Sequence, residues 1–370
     1  MKKILIAVAV LAAIAGFLLL KPVQVQIISA FLPGLPDWPA PNTALSAEDS
    51  GEVYYQTASP YDLEVVLRDM TLARPTVGLG YLSYPDSVTM EEPIPAMVIL
   101  SGSGGITPGR EHEYAAWFVE RGIAAFVVDY YQPRGFQKDD HYLFRNASVT
   151  EFDVISDAYA ALALLGSSPL IDANRIGVIG FSYGGMAARL AMDSRIHSAL
   201  AKGAAPFSLH IDVYGPCFQN LQSTASTGAP LLTLRGTEDS SNELPACVKR
   251  EDELRALGSK VSSIIYEGAG HAWEAERPRS LSESSPYLSG CELKYDEQGV
   301  ALLNGEQLGD VNYTASLAEK VLNRFTSGGK FQSCLGYGYL VGRDEKVREQ
   351  AYRDVNAFVG QVWAMSTEQP

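Results

Sequence analysis

Short apolar runs alternate with stretches of helical character through the middle of the chain. Ala96–Leu100 is continuously apolar, which is typical of a strand buried on both faces of a parallel sheet. Further strands are predicted at Ala124–Val128, Ile176–Ile179, Leu200–Ala204, Leu231–Leu234 and Val261–Tyr266. Helices are predicted at Glu111–Arg121, Ala147–Leu165 and Ala246–Leu257. Strands that alternate with helices form βαβ units, so the sequence predicts an α/β fold with a mostly parallel, doubly wound sheet and helices on both faces.

The two ends of this region follow different patterns. Before it, Tyr54–Thr57, Asp62–Arg68 and Val77–Tyr81 have the character of strands. Residues 274–343 are polar and rich in turns, and the helical spacing returns only at Lys346–Val362. We therefore expect one domain over residues 51–362, with residues 274–343 forming an excursion on its surface.

The first residues resemble an export signal. Two lysines precede an uncharged apolar run, Ile4–Leu20, so residues 1–21 are predicted to be a signal peptide or an N-terminal membrane anchor. A cleavage site is available at Ala13–Ala15, but apolar residues continue beyond it, which favours an uncleaved anchor. Residues 22–50, with four closely spaced prolines between Pro33 and Pro41, are predicted to form a linker or arm. The expected location is periplasmic or otherwise extracytoplasmic, with membrane contact only through the N-terminal segment.

Charge and cysteine content narrow the possible partners. The chain has 29 basic and 43 acidic residues, and a net charge of −14 argues against nucleic acid and anionic membrane surfaces. No cysteine lies at metal-binding spacing from a histidine. In an exported chain four cysteines suggest two disulfides, and of three possible pairings we favour Cys217 with Cys247 and Cys291 with Cys334. Free buried thiols are the alternative for a cytosolic domain.

A glycine-flanked serine follows the strand at Ile176–Ile179. Gly180–Gly184 matches G-x-S-x-G, in which the serine occupies a sharp turn between a strand and a helix and presents its hydroxyl as a nucleophile. The next backbone N–H, that of Tyr183, is free at a helix N-terminus and can donate to an oxyanion. The alternative is a glycine-rich corner in which Ser182 is incidental.

A serine nucleophile needs a base and an acid that orients the base. His271 lies among small residues just after a late strand, whereas the other four histidines are assigned to helices or loops. For the acid we favour Asp239, which follows Leu231–Leu234, with Glu238 as the alternative. Because the carboxyl ends of parallel strands meet at one edge of a sheet, we expect these loops to converge.

The loop after Ala96–Leu100 is the predicted source of a second oxyanion donor. It reads Ser-Gly-Ser-Gly-Gly over Ser101–Gly105, and the backbone N–H of Ser103 is the favoured donor. A glycine-rich loop can also bind phosphate, but this one lacks the G-x-G-x-x-G and P-loop patterns.

Taken together, these motifs resemble the α/β-hydrolase superfamily and, within it, the dienelactone hydrolase family, over roughly residues 51–360. The matching segments are Ser101–Gly105, Asp129–Gly135, Gly180–Gly185, Gly236–Asp239 and Gly268–His271. The resemblance implies a hydrolase of small-molecule carboxylic esters or lactones that needs no cofactor. Two departures stand out: Ser182 replaces the family's cysteine nucleophile, which points away from dienelactone itself, and Ser101 replaces a frequent histidine.

Two other functions share these sequence features. A serine peptidase uses the same acyl-enzyme chemistry, although the N-terminal region shows no large gating domain. A non-catalytic, membrane-tethered binding protein could retain the fold, but all three expected catalytic positions hold competent residues. The sequence leaves the oligomeric state open.

Overall fold

The computed structural model describes residues 20–201, 203–309 and 314–365. Its strands are β1 (Gly51–Ser59), β2 (Arg74–Ser83), β3 (Ile94–Leu100), β4 (Ala124–Asp129), β5 (Ile171–Phe181), β6 (His210–Val213), β7 (Gln219–Asn220), β8 (Leu231–Gly236), β9 (Val261–Tyr266), β10 (Ser280–Leu288), β11 (Leu293–Tyr295), β12 (Ala301–Leu303), β13 (Glu306–Gln307) and β14 (Leu335–Val341). Its α-helices are α1 (Lys21–Phe31), α2 (Leu63–Arg68), α3 (Glu111–Val119), α4 (Tyr142–Ser148), α5 (Glu151–Leu165), α6 (Tyr183–Leu190), α7 (Ser194–Leu200), α8 (Leu244–Ala256), α9 (Leu317–Gly328) and α10 (Glu345–Trp363).

Within the described residues, eight strands form one large sheet in the order β1-β2-β4-β3-β5-β6-β8-β9. Strand β2 runs antiparallel to β1 and β4, and every later pair in the sheet is parallel. This arrangement confirms the predicted α/β fold with a mostly parallel sheet. It also brings the carboxyl ends of β3, β5, β8 and β9 to one edge.

Both faces of the sheet are covered by helices. Alternate residues of β3 enter different hydrophobic clusters, with Val98 and Leu100 on one face and Met97 and Ile99 on the other, as the two-residue period of a strand requires. Helices α5 and α6 contribute to the first cluster, and α3 and α10 to the second. The core therefore lies in two layers, one on each side of the sheet.

Two predicted strands are wrong. Asp62–Arg68 is not a strand, because Leu63–Arg68 forms helix α2, which buries Leu63, Val65 and Val66 and carries an ion pair between Glu64 and Arg68 one turn apart. At Leu200–Ala204 helix α7 ends instead, and the strand at this position of the sheet is the four-residue β6. Such short elements are defined by tertiary packing more than by periodicity.

Two other predictions need adjustment. The helix expected at Ala147–Leu165 is divided into α4 and α5, because Thr150 forms a capping box with Asp153 and begins a new helix there. In the predicted arm, helix α1 has Pro22 in its first turn and ends at Phe31, ahead of the four later prolines, and Trp38 then donates its indole N–H to the carbonyl of Pro133.

Residues 274–343 have more regular structure than the sequence suggested. Strands β10 and β14 form an antiparallel ribbon, β11 to β13 belong to a small separate sheet with β7, and α9 packs against α1 and α4. Disulfides join Cys217 to Cys247 and Cys291 to Cys334, with Cα atoms 5.0 and 5.4 Å apart.

The predicted apolar segment Ile4–Leu20 lies outside the described residues except for Leu20. Across residues 20–201, 203–309 and 314–365, no helix has the length and apolar content needed to cross a bilayer.

Candidate active site

Ser182 sits on a strained turn between β5 and α6. Its backbone has a φ of 54° and a ψ of −113°, and the positive φ is costly for any residue with a side chain. Glycines permit the turn: a Cβ on Gly180 would overlap the backbone of Gly184, and one on Gly184 would overlap the carbonyls of Leu100 and Ser101. The turn thus holds Ser182 at the carboxyl edge of the sheet.

Ser182, His271 and Asp239 form a continuous chain of hydrogen-bonding groups. Nε2 of His271 lies 2.9 Å from Oγ of Ser182, and Nδ1 lies 2.6 Å from Oδ2 of Asp239. The serine follows β5, the aspartate follows β8 and the histidine follows β9. Since these strands are parallel, their carboxyl ends lie at the same edge of the sheet. The three side chains therefore meet there although they are far apart in sequence.

Asp239 is buried and accepts further hydrogen bonds from the residues that follow it. Ser241 donates its backbone N–H at 3.0 Å and its hydroxyl at 2.5 Å, and Asn242 donates its side-chain amide at 2.6 Å. Glu238, the alternative acid, is exposed. The supporting roles of Ser241 and Asn242 were not predicted from the sequence, although two polar side chains close after a candidate acid could have indicated them.

The loop after β3 lies against the nucleophile. The position that a Cβ on Gly102 would occupy is 3.5 Å from Cβ of Ser182. Tyr130 donates its hydroxyl to the carbonyls of Ser101 at 2.8 Å and Gly102 at 2.6 Å, and Tyr131 donates to that of Ser103 at 3.1 Å. Three successive carbonyls are therefore anchored by two tyrosines that the sequence analysis did not identify.

Tyr183 combines a backbone and a side-chain role. As the first residue of α6, it has a backbone N–H without a partner inside the helix. Its hydroxyl donates at 2.9 Å to Glu151, which also forms an ion pair with Arg324 of α9 at 3.2 Å. Burial would raise the pKa of Glu151, but Arg324 and the hydrogen bonds from Gln219 and Tyr183 outweigh it and hold that pKa below its usual value.

The described ranges contain no group of three His, Cys, Asp or Glu side chains arranged to hold a metal ion.

Comparison with known proteins identifies the family of this chain. The model of the dienelactone hydrolase family matches residues 79–326. A protein of Methylorubrum extorquens that bears the name carboxymethylenebutenolidase is 27% identical over 141 residues, which cover 37% of this chain and 47% of that protein. The chain thus spans about half the length of this curated relative.

Solved structures with a similar chain course include a dienelactone hydrolase of Klebsiella pneumoniae and esterase 2 of Thermogutta terrifontis phosphorylated by paraoxon. The first has a TM-score of 0.42 at 18% identity and covers 60% of this chain and 88% of its own. The second has a TM-score of 0.42 at 17% identity and covers 53% of this chain and 79% of its own. On the match of the family model, which spans more than half of the sequence, the chain belongs to the dienelactone hydrolase family of the α/β-hydrolase superfamily.

Proposed function

We propose that the protein is a serine hydrolase that cleaves a carboxylic ester or lactone through a Ser182–His271–Asp239 triad. The observation that carries this proposal is the uninterrupted chain of contacts from Oγ of Ser182 through His271 to Asp239, at 2.9 and 2.6 Å. Family membership supports the reaction class, and the strained turn at Ser182 supports its role as the nucleophile.

In the first half-reaction, Nε2 of His271 takes the hydroxyl proton of Ser182 as Oγ forms a bond to the carbonyl carbon of the substrate. The carbonyl oxygen becomes an oxyanion, which the backbone N–H groups of Tyr183 and Ser103 stabilise. The intermediate then expels the alcohol oxygen, which receives the proton from His271. A lactone keeps its alcohol on the bound acyl group.

In the second half-reaction, His271 takes a proton from water as the water oxygen bonds to the acyl carbon. The new oxyanion collapses, the bond to Oγ of Ser182 breaks, and the proton returns to the serine. Nδ1–H of His271 donates a hydrogen bond to Asp239 throughout, so in the resting enzyme the unprotonated Nε2 faces Ser182 and can take its proton.

Hydrolysis of nitrophenyl esters of graded acyl length by the wild type and by Ser182→Ala tests this proposal. We expect the variant to lose several orders of magnitude in kcat while it keeps the wild-type circular dichroism and melting temperature. Near-normal turnover by a folded Ser182→Ala protein would remove Ser182 as the nucleophile. Matched nitroanilides separate ester hydrolysis from peptidase activity, since we expect the amides to remain uncleaved.

We further propose that the protein works outside the cytoplasm. Two disulfides and the Lys2-Lys3 start ahead of Ile4–Leu20 support this location. Fractionation of cells that express the full chain should recover it from the envelope or periplasm with its cysteines oxidised. Recovery from the cytosol with free thiols would contradict the proposal.

A further inference from the structure

Tyr214 is buried against the base of the proposed triad. It follows β6 directly, with a φ of 43°, and its side chain is fully shielded from solvent. Its ring centroid lies 4.7 Å from that of His271, at an interplanar angle of 58°, and 4.6 Å from that of Trp273 at 89°. The tyrosine therefore packs directly against the imidazole.

The backbone of this residue contacts the acid side of the site. The carbonyl of Tyr214 accepts a hydrogen bond of 2.9 Å from the Asn242 side chain, which also donates to Asp239 at 2.6 Å. The preceding carbonyl, that of Val213, accepts the backbone N–H of Ser182 at 2.9 Å. The end of β6 thus has three contacts with the site: Val213 with the nucleophile Ser182, the Tyr214 carbonyl with Asn242, which supports the acid, and the Tyr214 ring with the base.

The hydroxyl of Tyr214 is fixed by a carboxylate from the base's own turn. It donates at 2.6 Å to Oε2 of Glu274, which is fully buried and three residues after His271. Tyr114 donates to the other oxygen at 3.3 Å, and Arg343 donates to the Glu274 carbonyl at 3.0 Å. Burial raises the pKa of Glu274, and the hydrogen bond from Tyr214 opposes that rise.

We infer that Tyr214, held by Glu274, is a positioning residue for the proposed hydrolysis, because it fixes the plane of His271 relative to Ser182 and Asp239. This inference rests on the proposed function. Proton transfer requires Nε2 to keep its direction towards Oγ while Nδ1 keeps its bond to Asp239, so a tilt of the ring weakens both contacts. An aromatic ring at this distance also favours the positive charge that the imidazole gains in the transition state.

The test compares Tyr214→Phe with Tyr266→Phe. Tyr266 is a matched control, because its buried ring also packs on Trp273, at 5.5 Å, and its hydroxyl also donates to a carboxylate, that of Asp354, at 2.7 Å. Only Tyr214 of this pair contacts His271 in the structure. Both substitutions remove one hydrogen bond to a carboxylate and keep the ring. Tyr214→Phe should cost more stability, because Glu274 is fully buried and Asp354 is only partly buried, so kcat is compared at a temperature where both variants are folded.

On a short-chain nitrophenyl ester, Tyr214→Phe should lower kcat about 3- to 10-fold with KM unchanged, because the loss of one hydrogen bond to Glu274 lets the ring that orients His271 tilt. Tyr266→Phe should keep the wild-type kcat. Equal kcat values for the two variants, or a change confined to KM, would overturn the inference. If Tyr214→Phe does not fold, Glu274→Gln takes its place. We expect that variant to show a lower kcat with KM unchanged, with a smaller fall than for Tyr214→Phe. An unchanged kcat in Glu274→Gln would overturn the inference.

Failure of the proposed function gives a different result in the same assay. If the wild type hydrolyses no ester, or if Ser182→Ala retains the wild-type rate, the triad itself is wrong. If only the Tyr214 variant behaves as the wild type, the triad stands and the positioning role falls.

Discussion

The backbone N–H of His271 donates a hydrogen bond of 2.7 Å to the carbonyl oxygen of Leu340. The return bond runs from the N–H of Gly342 to the carbonyl of His271 at 3.0 Å, so the turn that carries the base is paired with the end of β14. Tyr339 of the same strand lies with its ring 5.4 Å from the imidazole. The excursion is therefore part of the support for the proposed base.

The disulfide Cys291–Cys334 should matter for activity because it closes the other end of this ribbon. Strand β14 begins directly after Cys334, whose carbonyl accepts the N–H of Ser289. Replacement of both cysteines by serine should cost up to about 4 kcal/mol in the free energy of unfolding. We also expect a several-fold lower kcat at temperatures where the protein is still folded, since the ribbon opens more readily.

Cys217→Ser/Cys247→Ser is the control for this prediction. It opens a loop of 30 residues rather than 43, so it should cost a similar free energy, but it leaves the β10–β14 ribbon closed. Activity measured against temperature, with circular dichroism on the same samples, compares the two. Equal losses of kcat below the melting transition would contradict a specific role for the ribbon.

The acid is assigned to Asp239 rather than Glu238, and paired substitutions test this choice. Asp239→Asn should lower kcat by about 10³- to 10⁴-fold, because an amide no longer holds His271 in the tautomer that accepts the serine proton. Glu238→Gln changes an exposed neighbour and should leave kcat close to that of the wild type. A large loss in Glu238→Gln together with a small loss in Asp239→Asn would reverse the assignment.

The burial of His210 should lower the free energy of unfolding at acidic pH, independently of catalysis. It is fully buried on β6, its Nδ1 lies 2.7 Å from the carbonyl of Ala188, and its Nε2 has no partner within the described residues. Burial lowers its pKa from 6.5 to about 4. Because the folded state binds this proton more weakly than the unfolded state does, the stabilisation is complete above pH 6.5 and falls as the pH drops towards 4.

The full effect of this histidine is of the order of 3 kcal/mol. Denaturant unfolding of the wild type and of His210→Asn at pH 7 and pH 4.5 measures it as the difference between the two pH dependences. We expect the wild type to lose more free energy of unfolding than the variant over this range. Parallel losses would show that His210 does not titrate between the two states.

The positions of Ser182, Asp239 and His271 could be predicted together because each follows a strand of a parallel sheet, and such strands end at a common edge. The glycines around Ser182 add a local signal, since the turn requires them sterically. The sequence therefore contains enough information to predict the main sheet and to propose this arrangement of side chains.

Other features depend on contacts that no local pattern reveals. Strand β6 has only four residues, too few for a clear periodicity, so the sequence pattern favoured a strand at Leu200–Ala204 and gave no sign that His210 is a buried strand residue. Tyr214 and Glu274 come from separate loops, and their pairing appears only when β6 and the turn after β9 are adjacent. Tyr130 and Tyr131 likewise support the loop after β3 from a neighbouring strand end.

Labelling with a fluorophosphonate probe, followed by peptide mapping, tests the central claim most directly. The probe reacts with a serine only when a base activates it and an oxyanion site receives the phosphoryl oxygen. We predict that the folded, disulfide-intact protein is modified at Ser182, and that His271→Ala is not. Modification of another residue, or no labelling of the folded wild type, would contradict the claim that Ser182 is an activated nucleophile.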